Sequence, residues 1–518
     1  MPASAAPLRA RFGLRRALTP DPSLDSAKPY RQASRIMIDL RPIGYVIGLL
    51  VTALGVTMLP SLALDLAEGR GQWPVFLQSA IFTCLAGGLV AIACRDTRAA
   101  GLSIQQAFLL TTSVWVVLPL FGGLPFMLGA TEARLVDAYF EAMSALTTTG
   151  TTVFAGLDDL PKGLLLWRSL LNWLGGLGIV IVAMLFLPIM RVGGMQYFKS
   201  EGFDTLGKVL PRALDIAQGL LNVYIALTVA GVIAFLMLGM NGLDATAHAM
   251  SAVSTGGMST RDSSLANYSP AIQYTACVLM IGGSVPFVRL IFLMRGDIGP
   301  LWRDSQVRAY LRWMAYAFVL IAVARVWQAG EVSEPLLRAT LVNLVSIFSG
   351  TGFTSADVST WGAFAFVVLL ATGAIGGCTS STGCSIKVFR YQVLIGAITA
   401  QIARVRNPSA ITTARLDGQP LSDDVIGSVM VMFTTFVVGY GVVAILLSLT
   451  GLTFLEATTG AWTSIFDVGP MFGPSVGPSG SVEALPDAAK WIMAVAMVLG
   501  RLEIVSVLVL LRPVFWRG

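Results

Sequence analysis

Charge is what this chain has least of. Lys, Arg, Asp and Glu make up 12% of its 518 residues, where a soluble domain carries roughly a quarter. Hydrophobic side chains make up 55%, and the mean hydropathy is +0.74. A water-soluble globule is excluded, and length rules for counting soluble domains do not apply. Histidine occurs once, at His248. That argues against His-rich metal centres and leaves an intramembrane hydrolase little support. Five cysteines, Cys84, Cys94, Cys277, Cys378 and Cys384, lie scattered in apolar segments without a Cys-x-x-Cys. They read as small buried hydrophobes, not as disulfides or metal ligands. No phosphate-binding Gly-rich loop ends in Lys-Ser or Lys-Thr, so the chain itself is not expected to hydrolyse ATP. Residues 1–42 are Arg-rich and lack the apolar core of a secretory signal; they read as a cytoplasmic tail.

What is abundant is apolar sequence in spanning lengths. A spanning helix takes roughly 20 apolar residues. Stretches at 43–66, 75–94, 103–128, 166–190, 213–239, 270–294, 313–329, 362–395, 425–450 and 488–512 qualify. The expected fold is an all-α polytopic membrane protein of about ten transmembrane helices. An even number puts both termini on one side. The net charge of +6 sits in short stretches between these segments, a positive-inside bias and not a nucleic-acid surface. Arg9, Arg11, Arg15, Arg16, Arg31, Arg35 and Arg41 precede the first span, and Arg95 and Arg98 follow the second. Arg191, Lys199, Lys208 and Arg212 follow the fourth, Arg295, Arg303, Arg308 and Arg312 the sixth, and Arg404, Arg406 and Arg415 the eighth. These groups share one predicted side, the cytoplasm. Acids such as Glu132, Asp158, Asp262 and Glu483 lie in the opposite loops, where they would raise the local cation concentration.

Four shorter segments between spans align with one another. They run from Asp137 to Thr149-Gly150, from Asp244 to Thr255-Gly256, from Arg338 to Thr351-Gly352, and from Glu456 to Val468-Gly469. The spacing from opening charge to glycine is 13, 12, 14 and 13, and the glycines lie 106, 96 and 117 apart. Self-similarity near a period of 100 marks a repeated unit of helix, half-helix, Gly loop and helix. A half-helix carries partial negative charge at its C-terminal end. Four such ends aimed at one axis would favour a cation, and carbonyl oxygens of four loops can replace its hydration shell. One Thr-Gly pair means little; four at corresponding places are a strong signal.

The eighth span is too long and too broken for a plain helix. Gly373, Gly376, Gly377 and Gly383, with the run Cys378-Thr379-Ser380-Ser381-Thr382, interrupt it. Irregular backbone at membrane depth needs protein or a water-filled cavity around it, so the break points to the transport path. In the last span Arg501 is flanked by apolar residues. Such an arginine is costly and usually paired or functional. An organic-solute carrier of two inverted repeats fits less well, because the repeat here is fourfold and parallel.

Together with Asn172-Trp173-Leu174-Gly175-Gly176-Leu177-Gly178-Ile179, Val192-Gly193-Gly194-Met195-Gln196 and Gly500-Arg501-Leu502-Glu503-Ile504, these features resemble the TrkH family. That family holds the membrane subunits of bacterial Trk K⁺ uptake systems, within the Trk/Ktr/HKT superfamily. The resemblance covers roughly residues 36–518. It implies two preliminary helices and four M1–pore loop–M2 repeats around a central pore. The corresponding divisions are 1–42 (tail), 43–98 (two-helix domain), 99–212 (repeat 1), 213–312 (repeat 2), 313–424 (repeat 3 with the intramembrane loop) and 425–518 (repeat 4). Potassium ion would bind the backbone carbonyls of Thr149, Gly150, Thr255, Gly256, Thr351, Gly352, Val468 and Gly469. Gly376, Gly377, Cys378, Thr379, Ser380, Ser381, Thr382, Gly383 and Arg501 would form the gate. The resemblance also implies a homodimer in the bacterial inner membrane, in contact with lipid and regulated by a cytosolic TrkA-like nucleotide-binding subunit. Segments 191–212, 295–312 and 396–424 are candidates for that contact. No organic cofactor, nucleic acid partner or enzymatic reaction is expected. In the superfamily a serine at the first filter glycine tends to accompany Na⁺ transport, and Gly150 is similar to the K⁺ type. The chain departs from the pattern at Asp467, where asparagine is usual, and at Ser380, Cys384 and Ser385, where glycine is usual. Asp467 keeps open a Na⁺-permeable or poorly selective pathway.

Overall fold

The structure, a computed structural model, describes residues 39–69, 71–95, 102–185, 213–409, 413–477 and 480–517. Most of the tail 1–42, the residue Arg98, the stretch Val192 to Gln196 and the contact segment 191–212 lie outside the described residues.

The described chain is helical apart from loops and one two-residue hairpin, Arg415–Leu416 paired antiparallel with Gln419–Pro420. Among the described residues eight helices are long and apolar enough to cross a membrane, and a ninth span results if one bent pair is joined. That pair, Pro270–Ser284 and Phe287–Met294, bends by 108° at Pro286. The sequence suggests about ten spans, and the difference has a local cause. The stretch 488–512 forms a helix only over Asp487–Arg501, and then turns at Leu502–Ile504 before resuming at Val505–Leu510. The stretch 362–395 forms Gly362–Ile375 and Val388–Arg406 with non-helical backbone between.

The first two spans, Arg41–Glu68 and Trp73–Ala93, meet through small residues. A methyl group on Gly48 would lie 2.7 Å from the Gly87 carbonyl oxygen and 2.6 Å from the Ala91 nitrogen. Backbones can approach this closely only where the side chain is hydrogen or nearly so. Outward faces are apolar: Leu89, Ile92, Val278, Val323, Val437 and Ile445 are all exposed, as a hydrocarbon surround requires.

Polar groups collect inside instead. Four short helices, Leu135–Leu146, Gly242–Val253, Glu334–Ser349 and Phe454–Phe466, have 12, 12, 16 and 13 residues. At about 1.5 Å per residue they are too short to cross roughly 30 Å of hydrocarbon. All but their opening turns are almost wholly buried. The second and fourth have side-chain caps at their N-termini. Asn241 accepts from the Asp244 amide at 2.9 Å, and Thr453 and Glu456 form a reciprocal capping box. The third helix begins at Glu334, ahead of the Arg338 used for the alignment. Each half-helix therefore carries an acid in its first turn, Asp137, Asp244, Glu334 and Glu456, matching the positive end of its dipole.

Candidate functional site

The half-helices end in one repeated backbone figure. Within two residues of each helix end a residue with positive φ is followed two positions later by a glycine with positive φ. The pairs are Thr148 (57°) and Gly150 (88°), Thr255 (52°) and Gly257 (69°), Gly350 (76°) and Gly352 (93°), and Asp467 (49°) and Gly469 (109°). The amide between them returns to the helix each time. Thr149, Gly256, Thr351 and Val468 donate to the carbonyls of Ser144, Ser251, Ser346 and Thr463 at 2.9, 3.0, 2.8 and 3.2 Å. This corrects the register of the second loop. Its Thr255-Gly256 pair is not equivalent to the other three pairs; Gly256-Gly257 is. The spacing from Asp244 to Gly257 is 13, equal to that of the first and fourth loops. Two adjacent glycines offer two registers, and the positive φ at Gly257 selects one of them.

The four loops converge. A methyl group on Gly352 would stand 2.7 Å from the Val468 carbonyl oxygen, and one on Gly469 2.9 Å from that of Thr149. One on Gly150 would run into the Gly256 carbonyl and stand 3.4 Å from the Thr351 oxygen. Thr149, Gly150, Gly256, Thr351, Gly352, Val468 and Gly469 are thus brought together, with Thr255 one step nearer the helix end. Side chains tie loop to loop: Thr151 Oγ1 donates to the Gly469 carbonyl at 2.6 Å, and Thr149 Oγ1 donates to Asp467 Oδ1 at 2.8 Å.

Behind the loops sit buttresses that the sequence reading missed. Glu141 is fully buried and paired with Arg168 at 2.7 Å. Glu141 also accepts from Thr152 Oγ1 and the Val153 amide, while Arg168 Nη1 donates to the Ser259 carbonyl at 2.8 Å. One ion pair therefore holds the first and second loops together. At the equivalent position of the second helix, His248 hydrogen-bonds the Asp244 carbonyl and Ser259 Oγ and stacks on Phe353. It is a packed helix residue, as its surroundings in the sequence suggest. At the third, Asn343 bonds Ser355 both ways. Asn172 fills the space beside Gly256 that a side chain would need, and it accepts from Ser254 Oγ at 2.9 Å. Only spacing relative to the loop glycines could have found this set. Glu141, His248 and Asn343 each stand nine residues before Gly150, Gly257 and Gly352.

At the half-helix N-termini, outside the spanning helices, two of the acids, Glu456 and Asp244, are held ionised. Burial raises the carboxyl of Glu456, but bonds from Thr453 and Ser475 outweigh it and hold the group down at about 2. Burial likewise raises Asp244, and bonds from Thr260, Tyr268 and Arg261 bring it below its ordinary value. Ser475 lies in a Gly-x-Ser-x-Gly string, Gly473 to Gly477, that carries no elbow. Its amide is committed to Glu456, and the single histidine is engaged elsewhere.

The segment after Ile375 packs beneath the loops. Cys378 N donates to the Ser284 carbonyl at 2.9 Å, Thr382 N to that of Gly283 at 3.1 Å, and Phe287 N to that of Ser380 at 2.9 Å. Thr379 N donates to Gln306, and Ser381 Oγ to the Cys378 carbonyl. Thr382 Oγ1 reaches the Val253 carbonyl at 3.0 Å, and Ser385 Oγ that of Phe466 at 3.0 Å. Both acceptors are at half-helix ends. Gly376 has φ 78° and would drive a side chain into Cys384, and Gly377 and Gly383 approach each other closely. Ser380 and Ser385 adopt φ 61° and 71°. Their side chains therefore sit in backbone that glycine enters more easily. Arg501 is 5% exposed; Nη1 contacts Cys384 Sγ at 2.6 Å, and Nη2 donates to the Thr382 carbonyl at 3.3 Å. Lys387 is buried with φ 78°. Glu503 pairs with the fully buried Arg390, a partnership not foreseen from sequence.

A bundle of apolar helices enclosing four convergent, carbonyl-lined loops defines a multi-pass membrane transport protein. Residues 72–516 match the TrkH family, described as cation transport proteins. The Trk system potassium uptake protein TrkI of Halomonas elongata is 40% identical over 414 residues, 80% of this chain and 84% of that protein. TrkH of the same organism is 34% identical over 488 residues, covering 93% of this chain and 100% of that one. The crystal structure of the potassium transporter TrkH from Vibrio parahaemolyticus superposes with a TM-score of 0.85 at 31% identity, over 92% of this chain and 100% of that one. The chain belongs to the TrkH family, a family of membrane transporters and not of enzymes.

Proposed function

We propose that the chain takes up K⁺ through a filter built from its four loops. Carbonyl oxygens of Thr149, Gly150, Thr255, Gly256, Thr351, Gly352, Val468 and Gly469 coordinate the ion, joined by Gly257 in the corrected register. The repeated positive-φ figure carries this reading, because it turns backbone carbonyls of four segments toward one place. The potassium uptake named for its relatives supports the choice of ion. Gly376, Gly377, Cys378, Thr379, Ser380, Ser381, Thr382 and Gly383, held by Arg501, act as the gate below. A dimer in the inner membrane with cytoplasmic termini, biased by a cytosolic TrkA-like partner, follows from the family resemblance, as do the four repeats bounded at 99, 213, 313 and 425. A Na⁺-permeable pathway is the second reading, and Asp467 favours it by placing a carboxylate beside the filter.

The test is Rb⁺ uptake into vesicles holding the full chain, with K⁺ or Na⁺ as competitor, beside Gly352→Ser. The glycine has φ 93° and a carbonyl 2.7 Å from where the side chain would start, a strain of about 1–3 kcal/mol before any clash. Competition by K⁺ but not Na⁺, lost in the variant, is expected. Equal competition by both ions would replace this reading with the second one.

A further inference from the structure

Six residues before each loop glycine the half-helices carry a hydroxyl: Ser144 before Gly150, Ser251 before Gly257, Ser346 before Gly352 and Thr463 before Gly469. The backbone carbonyls of all four receive a loop amide. Their side chains differ in what they hold. The Gly469 amide donates to Thr463 Oγ1 at 2.9 Å. In the first and third loops the equivalent amides, of Gly150 and Gly352, reach only the serine carbonyls, at 3.4 Å. The hydroxyls of Ser144 and Ser346 find no partner among the described residues. In the second loop Ser251 Oγ lies 3.5 Å from Asn172 Nδ2.

A trans peptide is planar, and its N–H and C=O point opposite ways. Anchoring the Gly469 amide on the fully buried Thr463 therefore aims the Val468 carbonyl away from that hydroxyl, into the space where the loops meet. A methyl group on Gly352 would stand 2.7 Å from this carbonyl oxygen. On the other side of Gly469, its own carbonyl accepts from Thr151 Oγ1 at 2.6 Å. Pro470 follows with no amide to donate, so on that side too a side chain holds the loop.

We infer that Thr463 is a positioning residue for ion selection: its hydroxyl fixes the direction of the Val468 carbonyl and makes the fourth loop the most firmly held quarter of the filter. This rests on the four-loop filter proposed above. A carbonyl free to swing can close on the smaller Na⁺. One whose peptide is pinned at the amide keeps the wider spacing that K⁺ needs.

The experiment is calorimetric titration of the purified full chain, exchanged into choline, with K⁺ and with Na⁺. Binding, unlike uptake, does not require an open gate. Thr463→Val keeps the shape and removes the acceptor. K⁺ binding should weaken by about five- to tenfold, the worth of one hydrogen bond, with Na⁺ binding moved by less than about twofold. Thr463→Ser keeps the hydroxyl and should keep the wild-type ratio of the two constants. Weakening of both ions by one factor, or of neither, would overturn the inference, because lost packing or stability does not choose between ions. A ratio lost equally in Thr463→Ser would assign the effect to the methyl group and overturn it too. Should Thr463→Val fail to fold, Thr463→Cys puts a weaker acceptor in the same place and is decided by the same ratio. Gly352→Ser serves as control. If it lowers K⁺ binding while Thr463→Val leaves the ratio intact, the filter stands and Thr463 has no such role. If Gly352→Ser leaves K⁺ binding unchanged, the filter reading itself fails.

Discussion

Glu141 and Arg168 offer the sharpest test of how the loops are held. Glu141→Gln removes a charge without changing shape. It leaves Arg168, 1% exposed, without its 2.7 Å partner. Bonds to Thr152, Val153 and Ser259 radiate from the same pair, so the damage falls on two loops at once. Breaking a buried pair from one side costs about 3–5 kcal/mol, because the remaining charge is uncompensated. Arg168→Met should cost a similar amount for the mirror reason. The double variant removes both charges, and a coupling of about 2 kcal/mol or more is expected, within the range for residues in contact. Denaturant unfolding of the purified chain in mixed micelles measures the cycle, with Rb⁺ uptake read in parallel. If the two single losses simply add, the pair is not an interacting unit and the account of the buttress is wrong.

The corrected register of the second loop predicts an asymmetry. A side chain on Gly256 meets Asn172, whereas one on Gly257 meets the Thr351 carbonyl. Asn172→Ala should therefore rescue ion binding by Gly256→Ala but not by Gly257→Ala; equal rescue would restore the original alignment. Arg501→Ala removes the guanidinium that holds Cys384 and Thr382. Vesicles holding that variant should leak Rb⁺ faster than wild type without any partner present, and an unchanged rate would argue against a latch.

The spans and half-helices were legible because their signals are long. Apolar runs, Arg placement and a repeat of about a hundred residues each average over many positions. The register of the second loop is not legible, because adjacent glycines give sequence no means of choosing between them; only a φ angle does. The third half-helix starts four residues ahead of Arg338, with Glu334 and Pro335 in its first turn. Arg168 lay inside an apolar run whose partner, Glu141, is 27 residues away. Nothing local announces such a pair. Arg501 was noticed for the same charge-in-apolar reason, but its sulfur and carbonyl contacts come from a loop 117 residues distant.

The bend at Pro286 has a consequence for motion. In an unbroken helix the Phe287 amide would belong to the Gly283 carbonyl, and the Ser284 carbonyl would be spoken for in the next turn. Proline interrupts this and leaves both carbonyls vacant on the inner side. The intramembrane segment has taken them through Thr382 and Cys378, and has given the Ser380 carbonyl to Phe287 in return. The two stretches, almost a hundred residues apart in sequence, have traded backbone partners like the strands of a splice. Neither can leave without stranding the other's polar groups in an apolar interior. Any displacement of the intramembrane segment must carry the kinked helix along or find it new partners, so Pro286 sets the terms on which residues 376–385 can move.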